Sequence, residues 1–303
     1  MIQPSTLLMV RPASFVYNEQ TAGSNSFQNK VEDETNSSIQ EKAVAEFDNF
    51  VLKLKEAGID IRLFHDSPSP ITPDAIFPNN WISFHDNNSI VLYPMLAPNR
   101  RLERRMDIVD AFKNAKTTLI DLSIHENDNI YLEGTGSIVF DYTNKIAYAN
   151  TSPRTDKNLL EELCKQLNYK AISFKAVDDA GADIYHTNVL MCIGNTFAVI
   201  CKECIPDQNQ ANTICKQLEA TGHELVFISR AQMNSFAGNM YQAFNKEGKS
   251  FIIMSEQAFK SLNAEQIKTL QQHGTLLYAP LYTIEKYGGG SARCMMADVR
   301  NNY

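Results

Sequence analysis

Residues 137–174 read SIVFDYTNKIAYANTSPRTDKNLLEELCKQLNYKAISF. Two short apolar runs, SIVF and KIAYA, flank the turn-forming tetrapeptide DYTN, so they read as a pair of strands. A helix starts near Thr155, because Leu159, Leu160, Leu163 and Leu167 fall on one helical face. YKAISF then reads as a third strand. The unit is strand, strand, helix, strand.

Outward from this stretch the order repeats. WISFH and IVLYP precede a helix from about Leu102 to Ala115, expected to bury Leu102, Met106, Val109 and Phe112 and to lead into TTLIDL. VLMCIG and FAVIC precede a helix from about Gln208 to Ala220, which leads into HELVFI. MYQAF and SFIIM precede a helix opened by a capping box of Asn263 and Gln266, stopped at Gly274 and followed by TLLYA. The first helix, about Ile39–Ala57, has its apolar face at Ile39, Ala43, Val44, Phe47, Val51 and Leu54. Ser38 and Glu41 read as its capping box and Gly58 as its stop, with IDIRLF after it. Only one strand, TLLMV, lies before it, and the run Arg293–Val299 can supply the missing one. A period near 53 residues, with one chain end completing the unit begun by the other, predicts a closed ring. The expected fold is α/β: a five-bladed α/β propeller of pseudo-fivefold ββαβ repeats, in a single domain over residues 1–303. An open mixed α/β sheet is the alternative.

Composition narrows the class. The chain has 303 residues, 44% hydrophobic and 21% charged, with net charge −7. That is ordinary globular composition. The acidic balance gives no general attraction for nucleic acid or anionic lipid, and no apolar run is long enough for a bilayer. MIQPSTLLMVRP lacks a basic leader, and six cysteines without a signal peptide suggest reduced thiols and a cytoplasmic protein. Cys201 and Cys204 have metal-like spacing without a second pair or a nearby His, so they read as buried small apolar residues, as do Cys164, Cys192 and Cys215. No metal or cofactor is expected. His65, His85, His125, His223 and His273 read as surface residues.

In a ring of equivalent units, the loop between one unit's last strand and the next unit's first strand points at the axis. Asn80, Glu133, His186 and Asn239 occupy that loop at intervals of 53 residues, and Cys294 follows after 55. The repeat therefore brings a thiol, an imidazole and a carboxylate into one central pocket, the parts of a nucleophilic hydrolase. Cys294 lies in YGGGSARCMMADV, where three glycines permit close approach of a substrate. A free thiol is mostly protonated near neutrality, so a thiolate paired with the imidazolium of His186 is expected. Glu133, in YLEGTGSIVF, suits a group that binds N–H donors and moves protons.

At these residues the chain resembles the guanidine-modifying superfamily of arginine deiminases, agmatine deiminases, dimethylarginine dimethylaminohydrolases, succinylarginine dihydrolases and amidinotransferases. GGGSARCMM resembles the deiminase nucleophile loop and LEGTGSIVF its acidic loop. The whole arrangement most resembles the citrulline-utilisation hydrolase branch. The resemblance implies a pentein-like propeller with Cys294, His186 and Glu133 as catalytic residues. DAIFPNNW resembles a substrate-binding segment, which implies Asp74 as one ligand, places Asn80 where a second acid is expected and takes in Asn79 as a further substrate-binding residue. APNRRLERR and NTSPRTD resemble segments whose arginines grip a substrate carboxylate, which implies Arg100 and Arg154. Arg104 and Arg105 read as a solvated helix face. Asn188 stands where deiminases carry Asp, in the sequence HTN, and Asn239 completes the axial set. Amides in place of two carboxylates suit a neutral ureido group better than a charged guanidinium, so citrulline is favoured over arginine. The expected partners are a small amino-acid substrate and at most a second copy of the chain, with neither nucleic acid nor membrane. Arginine deiminase, dimethylarginine hydrolase or succinylarginine dihydrolase activity, or a non-catalytic propeller that binds a partner, are the rivals. The segment 18–37, rich in Asn, Glu, Ser and Thr, is a candidate flap.

Overall fold

A computed structural model describes residues 3–30 and 34–300. Among these, the strands form five three-stranded sheets. Each holds an antiparallel pair followed by a parallel one, and the parallel step is crossed by a helix. In the unit that opens the sequence reading, Val139–Asp141 pairs with Ile146–Asn150, which pairs with Lys170–Phe174. Parallel neighbours cannot be joined by a tight turn, so the helix Lys157–Leu167 makes the crossover. It buries Leu159, Leu160, Leu163 and Leu167 against Ala147, Ala149 and Phe140, and the same cluster takes in Val91 and Tyr93 from the preceding sheet. Neighbouring units thus share core.

The remaining sheets follow the same plan. Ile82–Phe84, Ser89–Leu92 and Thr118–Asp121 form one; Met191–Ile193, Phe197–Ile200 and Glu224–Phe227 another. Tyr241–Phe244, Ser250–Ser255 and Thr275–Ala279 form a third. The last joins the two ends of the chain. Ala297–Asp298 pairs antiparallel with Thr6–Arg11, which pairs in parallel with Asp60–His65.

Several local expectations differ from the structure. The first helix runs Asn36–Glu56 and is capped by Thr35, whose hydroxyl accepts from the Ser38 amide. Ser38 therefore lies inside the first turn and its expected capping box with Glu41 does not form. Leu102 and Met106 are not core residues: they are about half exposed, at 53% and 47%. That region splits into Pro98–Arg101 and Met106–Ala111. The break has a physical cause, because Arg100 is drawn inward to Glu103 while Arg101 and Arg104 turn to the carbonyls of Met95 and Tyr93. The capping box of Asn263 and Gln266 is present. His85 and His223 are buried rather than superficial. His85 bonds Ser83 and lies edge-on to Phe140; His223 bonds Thr221.

Among the described residues, no helix is long and apolar enough to cross a membrane. The segment read as a flap is described over 18–30 and 34–37; its other residues, 31–33, lie outside the described set. Asn18, Thr21, Asn25 and Gln28 are buried, so much of it is packed inward and is not a plain surface loop.

Candidate active site

The five residues expected at the centre of the repeat sit on short turns, each followed by a sheet strand. Asn80 ends the single turn Pro78–Asn80. Glu133 immediately precedes Gly134–Ser137, His186 immediately precedes Thr187–Leu190, and Cys294 lies within Ala292–Met295. Asn239 follows the turn at Phe236, whose carbonyl accepts from the Asn239 amide. All five are buried, at 0–3% exposure. The turns touch in sequence: those at 78–80 and 292–295 meet, as do 78–80 with 134–137 and 134–137 with 187–190. Asn239 bridges the rest, donating to the carbonyl of Asn188 at 3.0 Å and accepting from the Arg293 amide at 2.9 Å.

One narrow pocket is lined by Asp74, Asn80, Arg100, Arg154, His186 and Cys294, among others. Asn188 and Asn239 point their amide nitrogens at Cys294 Sγ, at 3.4 and 3.3 Å. His186 Nε2 lies 2.8 Å from Glu133 Oε2. Gly136 lets this centre close up, since a Cβ there would collide with both Asn80 Nδ2 and His186 Nδ1. Gly290 does the same at the nucleophile loop, where a Cβ would press on Phe77 and Cys294.

Charge in the site is graded. Burial alone would raise the Glu133 carboxyl, but Arg154, His186 and Arg100 outweigh it and hold it well below the usual carboxylate range. Burial pushes His186 down to about 4 despite the pull of Glu133. Burial therefore disfavours the ground-state imidazolium that the sequence suggested, and Glu133 opposes that effect. Burial also raises Asp74, against Arg100 and Asn18.

Burial likewise lowers His85, to about 3. Both histidines have folded values below the unfolded 6.5. At these two rings the unfolded chain takes up protons first as pH falls, so their contribution to stability drops from about pH 6.5 towards 4. Glu103 and Glu285, pushed up by burial to about 8 and 7, act in the opposite sense over the same range, so the test is a difference between proteins. The thermal midpoint of His186→Gln is expected to lose less than that of the parent across that window, and an equal pH dependence in the two would show that the His186 ring is solvated.

The two arginines are more committed than the resemblance implied. Arg100 makes a fork to Glu103, with Nε and Nη2 each at 2.9 Å, and its Nη1 donates to Asn80 Oδ1 at 2.8 Å. Its guanidinium is thus largely occupied by protein. Arg154 donates to Ser24 Oγ at 2.7 Å and to the Thr21 carbonyl at 3.0 Å, stacks on Tyr185 and lies 3.4 Å from Glu133. Asp74 accepts from Asn18 at 2.7 Å. The segment from Asn18 to Gln28 is thereby seated on the pocket, with Gln28 donating to the Tyr287 carbonyl at 3.0 Å. Arg104 is tied to Glu126 and is partly buried, so it is not a solvated face. Sequence reading missed Glu103, Tyr185, Thr21 and Ser24; the i, i+3 spacing of Arg100 and Glu103 was the one available signal.

Two buried polar atoms of residues that line this pocket have no partner, Asn80 Nδ2 and Asp74 Oδ1. Asn188 Oδ1, on the residue whose amide nitrogen reaches Cys294, and both side-chain amide atoms of Asn79 are also unpaired. Unsatisfied polar atoms are scarce in folded interiors, and two in the lining of one narrow pocket indicate a ligand site.

Known proteins carry the comparison further. The chain matches the family described as "N,N dimethylarginine dimethylhydrolase, eukaryotic" over residues 11–301. No curated protein is matched by sequence. Among solved structures, the N-terminal domain of ArgZ, an arginine dihydrolase from the ornithine-ammonia cycle in cyanobacteria, is similar at 19% identity and TM-score 0.76. That match covers 98% of each chain, and the relative is a cysteine-to-serine mutant bound to substrate. Full-length apo ArgZ is matched at 18% identity and TM-score 0.77 over 98% of this chain and 41% of that one. A dimethylarginine dimethylaminohydrolase adduct with S-methyl-L-thiocitrulline is similar at 11% identity and TM-score 0.65, over 98% of this chain and 100% of that chain. The chain belongs to the N,N-dimethylarginine dimethylhydrolase family of the guanidine-modifying superfamily, hydrolases of carbon–nitrogen bonds other than peptide bonds.

Proposed function

We propose that the protein hydrolyses the ureido group of citrulline, giving ornithine, ammonia and carbon dioxide. The observation that carries this reading is the orientation of Asn80. Its Oδ1 is taken by Arg100 at 2.8 Å, so the free group is the donor Nδ2, buried beside His186. A donor fits the ureido oxygen; a guanidinium, which has only N–H groups there, would face a like donor.

In the proposed reaction His186 Nδ1 takes the thiol proton as Cys294 Sγ adds to the ureido carbon. Glu133, anionic and bonded to Nε2, steadies the imidazolium that results. The imidazolium then protonates the departing nitrogen, leaving a thiocarbamoyl bond to Cys294. The neutral ring next activates one water, which releases sulfur and the second nitrogen with loss of carbon dioxide. Asn188 and Asn239 orient the sulfur. Arg154 is the chief partner for the substrate carboxylate, and Arg100 acts mainly by fixing Asn80. Asp74 Oδ1 takes the α-ammonium, and Asn79 contributes its idle amide. No cofactor enters this scheme.

The pocket has room for about one water molecule with the segment 18–28 in place. Substrate access therefore requires that segment to lift from Arg154 and Asp74. The five sheets and their touching axial turns support a closed five-bladed propeller, with residues 1–303 as one domain.

Family membership and the arginine-acting relatives favour a second reading, guanidino hydrolysis of arginine or a methylated arginine. A substrate panel separates the two. Citrulline is expected to release ornithine and ammonia with the highest kcat/KM among citrulline, arginine, dimethylarginine and succinylarginine. Faster turnover of arginine would replace the citrulline assignment.

A further inference from the structure

Tyr185 precedes His186 in the chain, lines the catalytic pocket and is buried. Its ring touches three parts of the site. Between centroids it lies 4.6 Å from the His186 ring and 6.0 Å from Phe27, and the Arg154 guanidinium sits over it at 5.1 Å. Its hydroxyl donates to the Gly289 carbonyl at 2.5 Å. Burial, and Cys294 nearby, raise its pKa above the ordinary phenol value, so it keeps the proton it donates.

The position of the acceptor matters. Gly289 ends the helix Tyr282–Gly288 in the left-handed region, at φ 62°, and opens the loop that leads to Cys294. Further along, the Ser291 carbonyl accepts from the Cys294 amide at 3.0 Å. The two carbonyls just before Gly289 are held by the segment 18–28: Gln28 Nε2 donates to Tyr287 at 3.0 Å and Asn25 Nδ2 to Gly288 at 3.4 Å. Both of those bonds are given up when the segment lifts to admit substrate. The Tyr185 bond is not, because Tyr185 stands outside that segment, next to His186.

We propose that Tyr185 is a positioning residue: its hydroxyl holds the glycine loop so that Cys294 stays aligned with His186 while the segment 18–28 is open. This rests on the nucleophile and base assigned above and holds for whichever substrate is turned over. Ring and hydroxyl act on different steps. The ring supports Arg154, and so substrate binding. The hydroxyl fixes the loop, and so the chemical step, where a displacement of about 1 Å costs on the order of 10²-fold.

Tyr185→Phe keeps the ring and removes the hydroxyl. With the substrate that the parent turns over fastest, kcat should fall about 10–100-fold, while KM stays within about threefold and the thermal midpoint falls by no more than about 4 °C. Tyr185→Leu, which also removes the ring, should raise KM as well. p-Aminophenylalanine at position 185 restores a donor at the same place and should recover most of the lost kcat; a packing role alone predicts that it behaves like phenylalanine. A parental kcat in Tyr185→Phe, a loss carried by KM alone, collapse of its midpoint, or a folded p-aminophenylalanine protein no faster than Tyr185→Phe would each overturn the proposal. Failure of the underlying assignment reads differently: it is full activity in Cys294→Ser, whatever stands at position 185.

Discussion

Cys294→Ser is expected to lower turnover by at least about 10³-fold while leaving the thermal midpoint within about 3 °C of the parent. The side chain is 3% exposed and receives the amides of Asn188 and Asn239. A serine hydroxyl can accept the same two bonds, so packing and satisfaction survive the change. What is lost is the sulfur nucleophile, for which a hydroxyl is a poor substitute beside a ring whose basicity burial has reduced. The parent protein should be alkylated by 2-chloroacetamidine at one position, and the variant at none. Selectivity comes from the pocket and the raised competitors: Cys294 lines the substrate pocket, whereas burial raises the thiols of Cys164, Cys192 and Cys215, the first two up to about 12, and Cys201 and Cys204 are fully enclosed. Full activity in the serine variant, or labelling spread over several cysteines, would remove Cys294 from the proposed mechanism.

How much of this was legible in sequence depended on whether a feature repeats. The strand and helix order was readable because each unit must bury the same faces, and helix Gln208–Ala220 has the expected limits. Asn80, Glu133, His186 and Asn239 could be found from a 53-residue interval, whereas Cys294 falls two residues beyond the next step and was marked also by its glycine-rich loop. Features that break the repeat were not readable. Leu102 and Met106 look periodic, yet a buried Arg100 overrides their pattern by demanding a carboxylate partner at Glu103. Burial of His85 depends on aromatic rings from the next sheet and its helix end, Phe140 and Tyr169, which its own neighbours in sequence do not announce. The same holds for Arg154, whose partners at Thr21 and Ser24 lie more than a hundred residues away. Composition alone could present the segment 18–37 as either a loop or a cover. The pairing of Asn18 with Asp74, of Gln28 with Tyr287, and of Thr21 and Ser24 with Arg154 distinguishes them.

Asn80→Asp is expected to reverse the preference between ureido and guanidino substrates. In the parent, Arg100 fixes which end of the amide is free, and the idle atom is a donor. Aspartate would still accept from Arg100 but would turn a second oxygen towards the position of the substrate head group. A ureido oxygen would then meet another acceptor, at a cost of roughly 1–3 kcal/mol, or about 5–150-fold in kcat/KM for citrulline. A guanidinium would gain a charged acceptor for its N–H groups, and kcat/KM for arginine should rise by a similar order. Sites built around one polar partner discriminate strongly against an analogue that leaves the partner unpaired, so the two effects should compound in the ratio. The measurement is the ratio of kcat/KM for citrulline and arginine in both proteins, with the thermal midpoint as a control. Arg100 and Glu103 are untouched, and the pocket keeps its volume, so a loss confined to stability is not expected. An unchanged ratio in a folded variant would mean that Asn80 does not face the reacting group, and the citrulline assignment would lose its support.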